Sequence, residues 1–286
     1  MKTKSLFLIL TFGISFLIAS SQNRETQPVI LEKISDNLYQ ILGGSGANGG
    51  MYMGETEVLI IDSKMDKPSV DGIYKAVKEI TDKPITFLIN THSDGDHVNG
   101  NRFFPESVTI IAHENCRKEF LLPQRNGSPS SWQGKDNQPF IPQITFNDRM
   151  QIDMGNQTVE IYYFGVGHTT GDAVVYFPNE KTAFIGDQVF WGRPQLIHSY
   201  KGGNSFEHVK TTQKLLSLDA EKFCSGHSEL KTREDIQKHL KEIVAFQHKV
   251  KDYKDQGKSL EETKAEFAEN EGNLVESVYS ELKEMN

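Results

Sequence analysis

Short apolar runs alternate along the chain with polar, glycine-bearing breaks. "VILEKI", "NLYQILG", "EVLIID", "ITFLIN", "VTIIA", "TVEIYYF", "AVVYF", "TAFIG" and "KFCSG" each end at glycine, proline, aspartate or asparagine. Runs this short, rich in β-branched and aromatic residues and closed by turn formers, predict strands. Between some of them lie helical patterns. "KPSVDGIYKAVKEIT" places Val70, Ile73, Tyr74 and Val77 on one face, and "SFEHVKTTQKLLSL" does so with Phe206, Val209, Leu215 and Leu216. Several strands precede the first helix and strands and helices then alternate, which predicts a layered α/β or α+β architecture.

After residue 230 the periodicity becomes helical. Ile236, Leu240, Ile243, Val244 and Val250 mark a long helix opened by Thr232, with Asp235 three residues on. A second start is "SLEE", where Ser259 and Glu262 have capping-box spacing. Leu274, Val275, Val278, Tyr279 and Leu282 give a third apolar face. The expected organisation is a main domain over 22–250 with a C-terminal helical extension over 251–286. The pattern leaves the oligomeric state open.

The first residues read differently. Lys2 and Lys4 precede the apolar stretch "LFLILTFGISFLIA", and small residues follow in "ASSQ". This is the layout of a secretory signal peptide over 1–21, with cleavage before Gln22. Its fourteen apolar-stretch residues fall short of the roughly 20 that span a bilayer, so no stable membrane anchor is expected after cleavage. The mature protein is expected to be exported, periplasmic or secreted.

Composition narrows the class. A chain of 286 residues, 37% hydrophobic, supports one large domain with a substantial core. Losing Lys2 and Lys4 takes the formal charge from −8 to −10. An acidic protein without a basic stripe is a poor nucleic-acid binder, because phosphates demand cationic contacts. A small-molecule substrate is the expected partner. Cys116 and Cys224 sit beside apolar residues and read as buried free thiols, although an oxidising compartment would permit a disulfide.

"GGSGANGG" carries Gly44, Gly46 and Gly49 at dinucleotide-fingerprint spacing. That fingerprint needs a helix opening at the glycines to receive the pyrophosphate. Here "MYMGETEVLIID" follows and reads as strand, so the segment is expected to be a hairpin beside a pocket.

The densest chemistry is "NTHSDGDHVNGN", which offers His92, Asp94, Asp96 and His97 directly after an apolar strand. Three further strands end the same way: "YYFGVGHTTGD" presents His168, "AFIGD" presents Asp187 and "KFCSGH" presents His227. Four of nine histidines thus stand on strand-end loops beside glycine. Imidazole nitrogens and carboxylate oxygens are the donors zinc-type cations take. His113, His198, His208, His239 and His248 read as surface or hydrogen-bonded residues.

"THSDGDH", "GHTTGD", "FIGD" and "SGH", in that order and after the "EVLIID" strand, resemble the metallo-β-lactamase superfamily over nearly all of 30–230. The resemblance implies an αββα sandwich with two divalent metal ions at one edge. His92, position 94 and His168 would hold the first; Asp96, His97 and His227 the second; Asp187 would bridge both. The family motif is His-x-His-x-Asp-His, and Asp94 departs from it. Asp94 would either ligate or hold a metal-bound histidine in place. Zinc is the expected metal, with iron or manganese admitted by the harder carboxylate.

The implied activity is metal-dependent hydrolysis, a metal-bridging hydroxide attacking a carbonyl of β-lactam, lactone or ester type, with Asp96 orienting the nucleophile and shuttling a proton. Two alternatives stay open, an iron-dependent oxidoreductase of the same fold and a weakly catalytic metal-binding protein. Residues 123–143 read as a covering loop bearing Trp132 and Phe140. Residues 188–204 read as a pocket wall, with Arg193 or Lys201 meeting a substrate carboxylate.

Overall fold

A computed structural model describes residues 27–282 apart from 125. The stretch expected to be a signal peptide lies outside the described residues. No helix among the described residues is long and apolar enough to cross a membrane.

Four strands come first: β1 (Ile30–Lys33), β2 (Leu38–Leu42), β3 (Gly49–Met53) and β4 (Val58–Ile61). Helix α1 (Lys67–Ile80) then leads to β5 (Ile85–Ile89), the short α2 (Gly95–Val98), β6 (Thr109–His113), α3 (Glu114–Glu119) and β7 (Ile144–Phe146). These seven strands form one sheet in sequence order, antiparallel from β1 to β4 and parallel from β4 to β7. The glycine-rich turn joins β2 to β3 as an antiparallel hairpin, as its sequence predicts.

The second sheet holds β8 (Arg149–Asp153), β9 (Thr158–Tyr163), β10 (Ala173–Phe177), β11 (Thr182–Gly186), β12 (Lys222–Ser225) and β13 (Lys231–Thr232). Its one parallel pair is β11 with β12, connected through α4 (Ser205–Leu215). The chain ends in α5 (Arg233–Asp255), α6 (Leu260–Lys264) and α7 (Gly272–Glu281). The capping boxes at Thr232/Asp235 and Ser259/Glu262 start α5 and α6. Helix α5 runs unbroken across residue 250.

The two sheets face each other across one apolar layer. Leu38, Tyr52, Leu59, Ile61 and Ile89 of the first meet Val159, Ile161, Val175, Phe177 and Phe184 of the second. Phe177 packs on Tyr52 at 5.1 Å and on Phe184 at 5.8 Å between ring centroids. Each such side chain contributes about 1.5–3 kcal/mol on leaving water. Outside the first sheet α1 buries Val70, Ile73 and Val77. Outside the second, Leu215 of α4 and Ile236 of α5 cover Val174, Ile185 and Phe223. The layers therefore run helix, sheet, sheet, helix, the αββα sandwich expected.

Helix α4 differs in detail from its sequence pattern. His208, Thr211, Thr212 and Leu215 are its buried side, while Phe206 and Val209 turn partly buried toward the C-terminal helices. Those helices have a core of their own, Ile243, Val250, Leu274, Val275 and Val278, into which Ile197 inserts. A helix caught between two cores has no single apolar stripe, which is why the pattern misassigned its face. Both cysteines are free and buried in separate clusters, Cys116 on α3 and Cys224 between the sheets.

Candidate metal centre

Parallel strands point their carboxyl ends the same way, and four of those ends meet here. Asp62 follows β4, residues 90–97 follow β5, Asp187 follows β11 and His227 stands two residues past β12. His168 joins them from the loop between β9 and β10. The loop after β5 is folded tightly: Thr91 donates from its amide and its hydroxyl to the two Asp62 oxygens, both at 2.8 Å. Asn90 and Asn101 exchange side-chain hydrogen bonds at 3.1 and 2.8 Å.

Three histidines have one ring nitrogen fixed by the protein, which turns the other inward. His97 Nδ1 is 2.7 Å from Asp62 Oδ2, His168 Nδ1 is 2.8 Å from the Leu196 carbonyl oxygen and His92 Nδ1 is 3.1 Å from Thr91 Oγ1. An outer partner of this kind sets tautomer and ring orientation at metal sites.

The inward atoms form two groups. His92, Asp94, His168 and Asp187 bring their donor atoms within 4.8 Å of one another, and so do Asp96, His97 and His227. Asp187 reaches both: Oδ1 lies 3.2 Å from His97 Nε2, and Oδ2 lies 3.2 Å from His227 Nε2 and 3.9 Å from His92 Nε2. His227 Nε2 is also 3.1 Å from Asp96 Oδ2. All seven residues singled out from the sequence thus converge.

The donor set fits a pair of cations. His92 Nε2, His97 Nε2 and Asp187 Oδ1 are buried without a hydrogen-bond partner, a costly state for polar atoms that a cation would relieve. Gly226 lines the same space: a Cβ there would stand 2.4 Å from Asp187 Oδ1 and 2.6 Å from His97 Cε1. Electrostatics agree. Burial alone would lower His168 and His227, but contacts with Asp94 on one side and with Asp187 and Asp96 on the other raise each to about 9. Burial disfavours the charged Asp187, yet His97 and His227 hold it well below the usual carboxylate range.

Two residues that sequence reasoning placed elsewhere belong to this centre. His198 Nε2 lies 2.8 Å from Asp94 Oδ2, and Lys201 Nζ lies 2.6 Å from Asp94 Oδ1 and 2.7 Å from Ser93 Oγ. Lys201 therefore points into the metal loop rather than standing free for a substrate. Burial opposes its charge, and Asp94 more than offsets this, raising its pKa. Arg193 lies over the Phe190 ring at 4.0 Å, and Phe190 stacks on His227 at 5.6 Å. Asp62 was also missed; its signal was an aspartate closing the "EVLIID" strand.

A cavity of about 330 Å³ opens beside the loop, lined by Ser93, Asn99, Glu119, Trp132, Tyr200 and Lys201 among others. Residues 123–143 border it, with Trp132 pinned by Phe120 at 4.9 Å and by Arg102 over its ring at 4.5 Å. Phe140 packs inward against the same cluster.

Residues 42–227 match the family model of the metallo-beta-lactamase superfamily. The chain is 27% identical over 273 residues to a metallo-beta-lactamase type 2 of Elizabethkingia meningoseptica, covering 88% of this chain and 98% of that protein. It is 27% identical over 179 residues to the alpha subunit of a 2,4-dinitroanisole O-demethylase from Nocardioides sp. (strain JS1661), covering 61% of this chain and 50% of that one. In three dimensions it resembles a metallo-beta-lactamase from Pontibacter korlensis, with a TM-score of 0.60 at 18% identity over 75% of this chain and 98% of that chain. The matched segment contains every donor of both groups, and the chain belongs to the metallo-beta-lactamase superfamily.

Proposed function

We propose that the protein is a metal-dependent hydrolase acting on a small molecule with an electrophilic carbonyl, of β-lactam, lactone or ester type. The observation that carries this reading is Asp187, whose two oxygens face both donor groups at once. His92, Asp94 and His168 would hold one cation, Asp96, His97 and His227 a second, with Asp187 between them. Four imidazoles favour zinc, and three carboxylates admit iron or manganese. Bound there, such ions supply an acidified water and polarisation of the carbonyl oxygen.

The chain's own residues do the rest. Asp96 is the half-buried carboxylate at the mouth of the site; burial opposes its charge, but the hydrogen bond from His227 together with the nearby His97 and His92 lowers its pKa and favours the ionised form. It is placed to orient a nucleophilic water and to pass the proton to the leaving group. The 330 Å³ cavity receives the substrate, with Trp132 and Tyr200 as apolar walls. An amino-terminal export signal would send the mature protein out of the cytoplasm, where cyclic amides and esters are accessible substrates.

The test is turnover of a chromogenic β-lactam, a lactone and an aryl ester panel before and after chelation, with Asp96→Ala and His168→Ala alongside. Chelation should abolish turnover reversibly. Each variant should lose about a hundredfold or more while remaining folded. Unchanged rates in both variants would remove the assignment.

A second reading, an iron-dependent oxidoreductase, is favoured by the three-carboxylate donor set. Oxygen consumption by iron-loaded protein would support it. An aryl methyl ether belongs in the substrate panel because one relative is a 2,4-dinitroanisole O-demethylase subunit.

A further inference from the structure

Asp94 stands where the family motif has a neutral histidine. Taken alone, it adds a negative charge to the group of His92, His168 and Asp187. It does not stand alone. Its Oδ1 is 2.6 Å from the Lys201 ammonium, with side-chain exposures of 13% and 9%. Its Oδ2 is 2.8 Å from His198 Nε2 and 3.0 Å from His168 Nε2. Lys201 is fixed in turn by Ser93 Oγ, which donates to the buried Glu119, and Glu119 accepts from the Thr170 amide at 2.9 Å. An ion pair this enclosed is a single electrical unit, because little solvent intervenes to screen it.

We propose that Lys201 is a positioning residue that cancels the charge of Asp94, so that Asp94 and Lys201 together replace the family's neutral histidine at the first metal position. His198 fixes the second oxygen and keeps the carboxylate aimed at His92 and His168. The proposal rests on the metal-centre reading above and concerns how tightly the first position holds its cation.

The consequence has an unusual sign. Restoring the family histidine with Asp94→His leaves the ammonium uncompensated beside the cation and weakens binding. Removing the ammonium with Lys201→Met leaves a bare carboxylate and strengthens it. Each change removes half of one pair, so the double variant returns to neutrality. A lysine that merely braced the loop would give the opposite result for Lys201→Met and no rescue in the double variant.

Metal-free protein is titrated with Co²⁺, following visible absorption and bound metal per chain. For the first position, Lys201→Met should tighten binding about tenfold or more and Asp94→His should loosen it by a similar factor. The double variant should lie within about threefold of the parent, and Lys201→Arg, which keeps the charge, should resemble it. Without metal, Lys201→Met should melt at a lower temperature than the parent, because the buried carboxylate loses its counter-charge. Asp94→His binding Co²⁺ as tightly as the parent would overturn the proposal. His92→Ala separates the two levels. If the parent takes up no Co²⁺ that His92→Ala removes, the metal-centre reading fails and this inference with it. If both positions fill and Lys201→Met behaves like the parent, this inference alone fails.

Discussion

Asp62 holds His97: its Oδ2 lies 2.7 Å from His97 Nδ1, while its two oxygens also accept from Thr91. Asp62 is in the left-handed region at φ 58°, which asparagine also tolerates. Asp62→Asn should therefore fold but lose the carboxylate that orients the ring and raises its basicity. Metal affinity measured by chelator competition should fall about 10–100-fold. An affinity equal to the parent's would show that His97 needs no outer partner.

Gly226 is there because nothing larger fits. Its added Cβ would overlap Asp187 Oδ1, at the end of β11, and His97 Cε1, whose ring is held by Asp62, so neither can retreat far. Gly226→Ala should keep a cooperative melt yet cut metal content below one ion per chain. Full metal content in the purified variant would contradict the packing argument.

A second histidine pair lies away from the centre. His208 and His239 face each other at 3.1 Å between Nε2 atoms, both buried under α4 and α5. Burial pushes His239 down to about 4, and burial together with His239 pushes His208 well below its usual value. The folded state thus favours the neutral rings, and the unfolded chain takes up protons first as pH falls below about 6.5. Stability from His239 is complete above that pH and is lost between about 6.5 and 4, amounting to about 3 kcal/mol. Urea unfolding across this range should show a steeper decline in the parent than in His239→Gln. Parallel curves would exclude the pair as its source.

Glu281 of α7 reaches back to the start of α4, accepting from the Ser205 amide at 3.0 and 2.9 Å through its two oxygens. A carboxylate on a helix N-terminus meets both a free donor and the favourable end of the dipole. Glu281→Ala should cost about 1–3 kcal/mol in unfolding free energy. A loss within a few tenths, read by denaturant titration, would show that solvent replaces it.

Much of this architecture was written locally. Nine strands, β1, β2, β4 to β6 and β9 to β12, announce themselves as apolar runs with turn formers, whereas the edge strands β7, β8 and β13 do not, and the two capping boxes mark helix starts at Thr232 and Ser259. The seven converging donors were visible because each stands on a loop that leaves the end of a strand, so sheet geometry brings those loops near one another. His198 and Lys201 were not visible. Their partner Asp94 is 104 and 107 residues away, and the 188–204 segment that carries them has no strand or α-helix to betray its direction. The inward turn of Trp132 was hidden for the same reason, since its partners Arg102 and Phe120 come from other elements.

Ile197, one residue before His198, is buried among Val275 and Val278, and Ser199 Oγ lies 3.3 Å from Ser277 Oγ. The far end of the molecule thus acts as a keel beneath the segment that steadies Asp94. Trimming or loosening the last helix would be felt at the donor cluster without touching any of its seven residues. In this chain the C-terminal helix and the Asp94 side of the donor cluster are mechanically joined.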